Sequence, residues 1–232
     1  MSAPTVLARF PHDPDAFTQG LEFYQGRLYE STGLEGYSTL RVVDTRTGRV
    51  LRSRAVAPEH FAEGLTVFRG RVYQLTYRSG RCFVYDADTL EPVREFTYPG
   101  EGWGLSHDDQ HLLMSDGTDT LRVLDPETFT ALRTVRVTDG GVGVIHLNEL
   151  ELLGGELWAN VWGSDRIARI DPRSGRVLGW LDLSAVHLQA GTEEPEAVLN
   201  GIAYEPTEGR LFITGKLWPW LFELRPVPPL AP

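Results

Sequence analysis

The feature that most constrains the fold of this chain is an internal repeat in which a polar residue, usually followed by glycine, precedes an aliphatic residue. The five copies are Gln19-Gly20-Leu21, Glu63-Gly64-Leu65, Trp103-Gly104-Leu105, Asn148-Glu149-Leu150 and Asn200-Gly201-Ile202. Their successive spacings are 44, 40, 45 and 52 residues. A period of about 40 to 50 residues is typical of a β-propeller blade. The repeat therefore predicts five blades.

Each copy continues with further strand signals. A second alternating run follows every time, from Arg27-Leu28-Tyr29 in the first copy to Arg210-Leu211-Phe212 in the last, and it indicates a half-buried strand. In four copies a third strand ends in a turn led by aspartate, whose side chain can accept hydrogen bonds from turn amides. A fourth strand follows each of these turns, for example over Val50–Val56 or Val177–Leu183.

The fifth copy lacks a fourth strand, and the N-terminus supplies one. The chain runs out after Leu221–Leu224, whereas Thr5–Phe10 precedes the first copy as each fourth strand precedes the next inner strand. Closure by this segment removes the sheet edge that the last blade would otherwise expose. We therefore expect an all-β, five-bladed β-propeller forming a single domain over residues 1–232, with the last blade closed by the N-terminal strand. The alternative is a β-sandwich whose strands resemble one another by chance.

Composition excludes several classes of partner. A formal net charge of −10 argues against nucleic acid and anionic membranes, because both need a positive field. The single cysteine, Cys82, permits no internal disulfide and no cysteine-based metal cluster. No stretch approaches the roughly 18 apolar residues of a membrane span. Since five closed blades leave no free edge for pairing, we expect a monomer.

The N-terminus leaves the compartment open. Residues 1–10 have neither the basic segment nor the apolar segment of a signal peptide. We expect a cytoplasmic protein if the sequence is complete and an exported one if a leader was removed.

The repeat places chemically active residues in two rings. Innermost propeller strands line a central channel, so equivalent repeat positions meet around one mouth of it. The first ring, just before the Gly-Leu step, is Gln19, Glu63, Trp103, Asn148 and Asn200. The second ring, on the next strand, is Gly33, Tyr77, Gly117, Trp162 and Lys216. If both rings face the same mouth, they form a funnel-shaped pocket with a carboxyl group, an ammonium, amides and aromatic walls, as ligand sites often have.

Two members of these rings carry the strongest functional signal. Glu63 lies between Phe61 and an apolar strand, where an unused charge would be costly. Lys216 is the only lysine in a chain with 21 arginines, and a compact ammonium differs chemically from a guanidinium. Asn148 and Asn200 could instead bridge backbone groups between blades, and Trp103 could simply fill the core, as could Trp162.

Known cofactor and metal motifs are missing from the sequence. The six histidines show no metal-ligand spacing, and there is no nucleophile elbow, P-loop or dinucleotide-binding fingerprint. The sequence therefore predicts no cofactor and no metal.

A family resemblance extends this interpretation. Nine ordered motifs resemble the plant-type glutaminyl cyclases, also called glutaminyl-peptide cyclotransferases, over nearly the whole chain. They are Phe17-Thr18-Gln19-Gly20-Leu21, Glu30-Ser31-Thr32-Gly33, Phe61-Ala62-Glu63-Gly64-Leu65-Thr66, Gly102-Trp103-Gly104-Leu105, Ser115-Asp116-Gly117-Thr118, Leu147-Asn148-Glu149-Leu150-Glu151, Trp158-Ala159-Asn160-Val161-Trp162, Leu199-Asn200-Gly201-Ile202-Ala203 and Thr214-Gly215-Lys216-Leu217-Trp218-Pro219. The resemblance implies a five-bladed propeller and a metal-independent enzyme that converts the N-terminal glutamine of peptides or proteins to pyroglutamate with release of ammonia.

The resemblance also implies roles for individual residues. It makes Glu63 the catalytic acid/base. The polar pocket is completed by Gln19, Asn148 and Lys216, and its walls by Trp103 and Trp162. Phe17, Phe61 and Asn200 belong to the same motifs and complete the predicted substrate-binding set. One departure stands out, because Tyr77 occupies a position where many members have tryptophan, which affects the expected width and preference of the pocket.

Two other functions are compatible with the sequence, because fold does not fix function. One is a non-catalytic propeller that presents its central mouth to a peptide or protein partner. The other is a metal-assisted hydrolase, but the cluster of carboxylates and histidines that it needs at the mouth is not found in the sequence.

Overall fold

The computed structural model describes residues 2–225, so Met1 and residues 226–232 of the predicted domain lie outside the described residues. Its main elements are five antiparallel sheets of four strands each. The strands of each blade are given from the inner to the outer one. The first blade contains β2 (Thr18–Tyr24), β3 (Arg27–Thr32), β4 (Thr39–Val43) and β5 (Val50–Ala55), and the second contains β6 (Ala62–Phe68), β7 (Arg71–Thr76), β8 (Arg81–Asp86) and β9 (Pro92–Thr97). The third contains β10 (Leu105–His107), β11 (Leu112–Met114), β12 (Thr120–Leu124) and β13 (Ala131–Arg136), and the fourth contains β16 (Leu147–Leu153), β17 (Glu156–Val161), β18 (Arg166–Ile170) and β19 (Val177–Asp182). The fifth blade combines β20 (Leu199–Glu205), β21 (Arg210–Gly215) and β22 (Trp220–Arg225) with β1 (Thr5–Pro11).

Burial follows the strand order in the blades. Every residue of the inner strand β6 is buried, whereas the outer strands β5 and β9 are largely exposed. The inner strands contact one another in a closed ring in the order β2, β6, β10, β16, β20 and back to β2. This arrangement is the predicted five-bladed propeller, with its channel along the inner strands.

The N-terminal segment closes the ring, as predicted. Strand β1 pairs antiparallel with β22, so that Thr5 lies opposite Arg225 and Pro11 opposite Trp220. Closure extends one blade further, because the amide of Ser2 donates to a carbonyl oxygen of β19 at 3.0 Å and its carbonyl accepts from the Asp182 amide at 2.9 Å. One segment therefore joins the last two blades.

The hydrophobic core lies between blades rather than at the centre of the ring. Five clusters of buried side chains each combine residues from two neighbouring blades. In the cluster between the first two blades, Tyr29 and Val42 pack with Leu65 and Tyr85. Since the apolar surface is buried between the blades, the channel itself is free to carry polar side chains.

Insertions explain the two widest repeat spacings. The hairpin of β14 (Thr138–Asp139) and β15 (Val142–Gly143) precedes the fourth blade, and helix α1 (Ser184–Ala190) precedes the fifth. Predicted strand ends were wrong by one residue in places, because β5 stops at Ala55, β19 stops at Asp182 and β1 continues to Pro11. Within residues 2–225 no helix is long and apolar enough to cross a membrane.

Candidate active site

Backbone irregularities in the inner strands set the direction of the first-ring side chains. Pairing with the second strand shifts register at the ring position in four blades, for example between Ala62 and Leu65. In the third blade Trp103 precedes the short strand β10, and the Ser115 hydroxyl accepts from the Gly104 amide at 2.7 Å in place of a regular ladder bond. Bulges of this kind commonly re-aim a side chain beside an active site.

In four of the five blades a glycine follows the ring side chain, and at Gly20 and Gly64 it lets neighbouring inner strands approach closely. A Cβ atom at Gly64 would lie 2.5 Å from the Trp103 carbonyl oxygen, and one at Gly20 would lie 2.5 Å from the Leu65 nitrogen. Both distances are too short for a real side chain. The Gly-Leu step of the repeat is therefore required by the narrow centre of the ring.

The two predicted rings meet around one cavity of about 300 Å³ at a mouth of the channel. Its lining residues are Phe17, Gln19, Leu34, Phe61, Glu63, Tyr77, Trp103, Asn148, Trp162, Glu196 and Lys216. Nine of the ten residues predicted from the sequence are among them. The volume lies at the lower end of the roughly 300 to 1,000 Å³ of small-ligand sites, which suits the side chain of a single residue.

The tenth predicted residue, Asn200, lies behind the lining. It is buried, and its Nδ2 donates to the Thr18 carbonyl at 3.0 Å and to Gln19 Oε1 at 3.3 Å. Asn200 therefore orients the Gln19 amide and ties the fifth blade to the first. Direct contact between Asn200 and a substrate stays a prediction.

Glu63 is a buried carboxyl group without a hydrogen-bond partner for its side chain among residues 2–225. Only 5% of the residue is exposed. Burial raises its pKa well above the usual range, the charge of Lys216 opposes this, and the charge of Glu101 adds to it. A carboxyl group with a raised pKa is closer in proton affinity to an amine, which favours proton exchange between the two.

Lys216 is the matching buried cation. It is also 5% exposed, and its Nζ lies 4.7 Å from the centre of the Phe17 ring, within cation–π distance. Burial lowers the pKa of Lys216, while the charges of Glu63 and Glu196 raise it. The cavity thus holds an acid and a base whose proton affinities burial brings closer together.

Aromatic rings form a continuous wall around these charges. Phe17 packs edge-on against Phe61 at 6.0 Å between ring centres, and Phe61 against Tyr77 at 5.9 Å. The chain continues from Tyr77 to Trp103 at 6.4 Å and from Trp103 to Trp162 at 6.1 Å. Edge-to-face contacts of this kind fix ring orientation, so the wall has a defined shape.

The small members of the second ring make room for this wall. A Cβ atom at Gly117, where φ is +79°, would lie 2.7 Å from the Trp103 ring. One at Gly33 would overlap the ring of Phe61. The uneven size of the second-ring residues is thus explained, because its glycines seat aromatic side chains of other strands.

Two lining residues were missed by the sequence analysis. Leu34 directly follows a ring position and has φ of +83°, a conformation rare for a bulky residue and often found at functional sites. Glu196 lies in the loop between α1 and β20, which has no counterpart in the other repeats. The repeat pattern therefore could not predict Glu196. Within the described part of the chain, no group of three or more His, Cys, Asp or Glu side chains is placed to hold a metal ion.

Comparison with known proteins gives the family. The family model for glutamine cyclotransferase matches residues 1–225. The chain belongs to the glutamine cyclotransferase family. This confirms the resemblance inferred from the nine motifs.

Relatives of this cyclotransferase chain include characterised proteins. It is 46% identical over 226 residues to the glutaminyl-peptide cyclotransferase of Arabidopsis thaliana, covering 95% of this chain and 70% of that one. The crystal structure of Myxococcus xanthus glutaminyl cyclase superposes with a TM-score of 0.92 at 40% identity, covering 96% of each chain. The WD40 β-propeller domain of Doa1 matches with a TM-score of 0.52 at 11% identity, covering 88% of this chain and 62% of that one, which supports the fold alone.

Proposed function

We propose that this protein is a glutaminyl-peptide cyclotransferase, which converts the N-terminal glutamine of peptides or proteins to pyroglutamate and releases ammonia. The observation that carries the proposal is that Glu63 and Lys216, both buried, line the same aromatic cavity. The names of the Arabidopsis and Myxococcus relatives support it.

The reaction is an intramolecular acyl transfer. The α-amine of the substrate attacks the carbon of the side-chain amide, so that a C–N bond forms and closes the ring. The bond from that carbon to the amide nitrogen then breaks. One proton moves from the attacking amine to the leaving nitrogen, which departs as ammonia, and no other reactant is consumed.

Glu63 is the proposed proton carrier. Its carboxylate takes the proton from the attacking amine and returns it to the departing nitrogen. Its side chain has no hydrogen-bond partner within residues 2–225 that would compete for this proton. General acid–base catalysis of this kind is typically worth about 10² to 10⁴ in rate.

Lys216 and Asn148 are the proposed stabilisers of the negative charge that develops on the amide oxygen. The Asn148 amide is buried, and its Oδ1 has no hydrogen-bond partner among the described residues. Asn148 lines the cavity, so we propose that its Nδ2 donates to the substrate. A fixed ammonium and an amide donor in a cavity shielded from water act more strongly on this charge than they would in solution.

Gln19 and the aromatic wall are proposed to set the geometry of attack. Asn200 holds the Gln19 amide in place, so that it can orient the substrate amine. The wall from Phe17 through Phe61 to Trp162 excludes water and folds the flexible glutamine side chain towards its cyclic shape. Trp162 is 45% exposed, which supports a proposed exit for the rest of the peptide beside this ring.

The test is ammonia release from a short peptide that begins with glutamine. The same peptide beginning with asparagine is the substrate control, each assay is run with and without a chelator, and mass analysis follows the loss of ammonia. Turnover of the glutamine peptide alone supports the proposal. Tight binding of that peptide without turnover would contradict it and favour a binding propeller, and activity lost with the chelator would contradict metal independence.

A further inference from the structure

Two charged residues just outside the cavity are tied to two rings of its wall. Arg78 Nη2 donates to the Tyr77 hydroxyl at 3.0 Å, and the guanidinium lies over the Tyr77 ring at 4.5 Å. The same guanidinium donates through Nε to Glu101 Oε1 at 3.1 Å. The other carboxylate oxygen of Glu101 accepts from Trp103 Nε1 at 3.0 Å. Tyr77, Arg78, Glu101 and Trp103 therefore form one connected strap.

The strap connects two neighbouring rings of the wall that belong to different blades. Tyr77 follows the second blade's strand β7, whereas Trp103 precedes the third blade's strand β10. Neither Arg78 nor Glu101 lines the cavity, so neither side chain is placed to touch a glutamine side chain inside it. Their contacts all lead to the two rings, whose centres lie 6.4 Å apart.

We propose that Arg78 and Glu101 are positioning residues that hold the rings of Tyr77 and Trp103 in the geometry needed for cyclisation. This inference rests on the proposed function of the cavity. It also assigns a role to the Tyr77 hydroxyl, which accepts the hydrogen bond from Arg78, because a tryptophan at this position has no hydroxyl.

The strap contributes little to folding, which makes the proposal testable. The Arg78 side chain is 72% exposed, and ion pairs at exposed positions stabilise a fold only weakly. The strap depends on the geometry of its hydrogen bonds more than on their contribution to stability. A lysine at position 78 keeps the charge but cannot reach the Tyr77 hydroxyl and Glu101 together as a guanidinium fork does. In Glu101→Gln, one of the two acceptor oxygens becomes a donor group.

The first arm of the experiment measures kcat and KM with a glutamine-initiated peptide, together with the thermal unfolding midpoint. We expect Arg78→Ala to lower kcat/KM about tenfold, mainly through kcat, with an unchanged midpoint, since misplaced wall groups cost rate rather than stability. Arg78→Lys should fail to restore the rate. The losses in Arg78→Ala and Tyr77→Phe should not add in the double variant, because both act through one network.

Arg94 provides a matched control on an outer strand. Its guanidinium lies 4.8 Å from the centre of the Phe96 ring and 3.7 Å from a Glu127 carboxylate oxygen, far from the cavity lining. Arg94→Ala should leave kcat/KM unchanged. A kcat/KM in Arg78→Ala within about twofold of wild type would overturn the proposal. A loss of rate in proportion to a loss of folded protein would also overturn the proposal.

A second arm is independent of turnover. Arg78→Ala and Glu101→Gln should each change the tryptophan emission of the substrate-free protein, and the change should disappear in a Trp103→Phe background. An unchanged emission in both variants would overturn the proposed tie to Trp103. If the wild-type protein released no ammonia from any glutamine peptide, the proposed function would fail, while this arm would still report whether the strap holds the ring.

Discussion

Replacing Glu63 with glutamine removes one titratable group and keeps the shape of the side chain. The carboxyl makes no side-chain hydrogen bond within residues 2–225, so no buried donor loses its acceptor. We therefore expect the folded structure and the unfolding midpoint to stay close to wild type. The rate should fall by the whole acid–base contribution, about 10² to 10⁴, which corresponds to about 3 to 5 kcal/mol in the activation barrier.

The outcome of this assay depends on pH, because the charge of Glu63 also affects the pKa of Lys216. Its charge raises the pKa of Lys216, so Glu63→Gln lets that pKa fall further and favours the neutral amine. Ammonia release is therefore measured from mildly acidic to alkaline pH, and the spontaneous cyclisation of free peptide is subtracted. Glu196→Gln removes a carboxylate from the exposed side of the same cavity and should cost far less. A rate in Glu63→Gln within about tenfold of wild type at any pH would refute the proton-carrier role.

Three further predictions concern the lysine, the wall and the acid stability of the fold. Lys216→Arg should lose nearly as much kcat/KM as Lys216→Ala, because a guanidinium fork does not fit the niche of a buried ammonium; full activity of the arginine variant would contradict this. Gly117→Ala should displace the Trp103 ring and lower kcat/KM, whereas Gly26→Ala, with a similar φ of +73° and open space around it, should leave it unchanged; equal effects on kinetics would show that backbone strain alone matters. Burial would raise the pKa of Glu30, but the charges of His12 and Arg41 outweigh this and hold that pKa at about 2. Glu30 therefore stabilises the fold by roughly 3 kcal/mol above its unfolded pKa of about 4.3, and this stabilisation is lost as pH falls through about 2. Denaturant unfolding of wild type and Glu30→Gln should therefore converge with acid, and a constant difference between them would contradict this origin.

The repeat made the fold predictable because the centre of a propeller accepts few residue types. A Cβ atom at Gly64 or Gly20 would clash with the backbone of the neighbouring inner strand, so a glycine recurs at this position in four of the five inner strands. Aspartate-led turns are equally local, since Asp86 accepts from the Asp88 and Thr89 amides of its own turn. Features fixed by short-range geometry of this kind can be recovered from sequence alone.

Residues contributed by the loops could not be found in the same way. Glu196 lies in an insertion present in one repeat, and Glu101 precedes a ring position without sharing its register. Glu101 accepts a hydrogen bond from Arg78, 23 residues earlier in the second blade, and no periodic pattern encodes that contact. Asn200 shows the converse, because its ring position was predictable but its contacts place it behind the lining.

Two glutamates near the axis show why residue type is not enough to identify the catalytic group. Glu149, next to the ring residue of the fourth blade, is as buried as Glu63, and burial raises the pKa of both. The Glu149 carboxylate, however, accepts from the Leu21 amide at 3.3 Å and from the Ile202 amide at 2.9 Å, so it joins three blades. Its lone pairs are engaged by the backbone, and its replacement by glutamine should lower stability. Glu63 has a similar burial but no such partners, and it faces a cavity beside a cation. This difference in hydrogen bonding supports Glu63, and not Glu149, as the proposed catalytic carboxyl group.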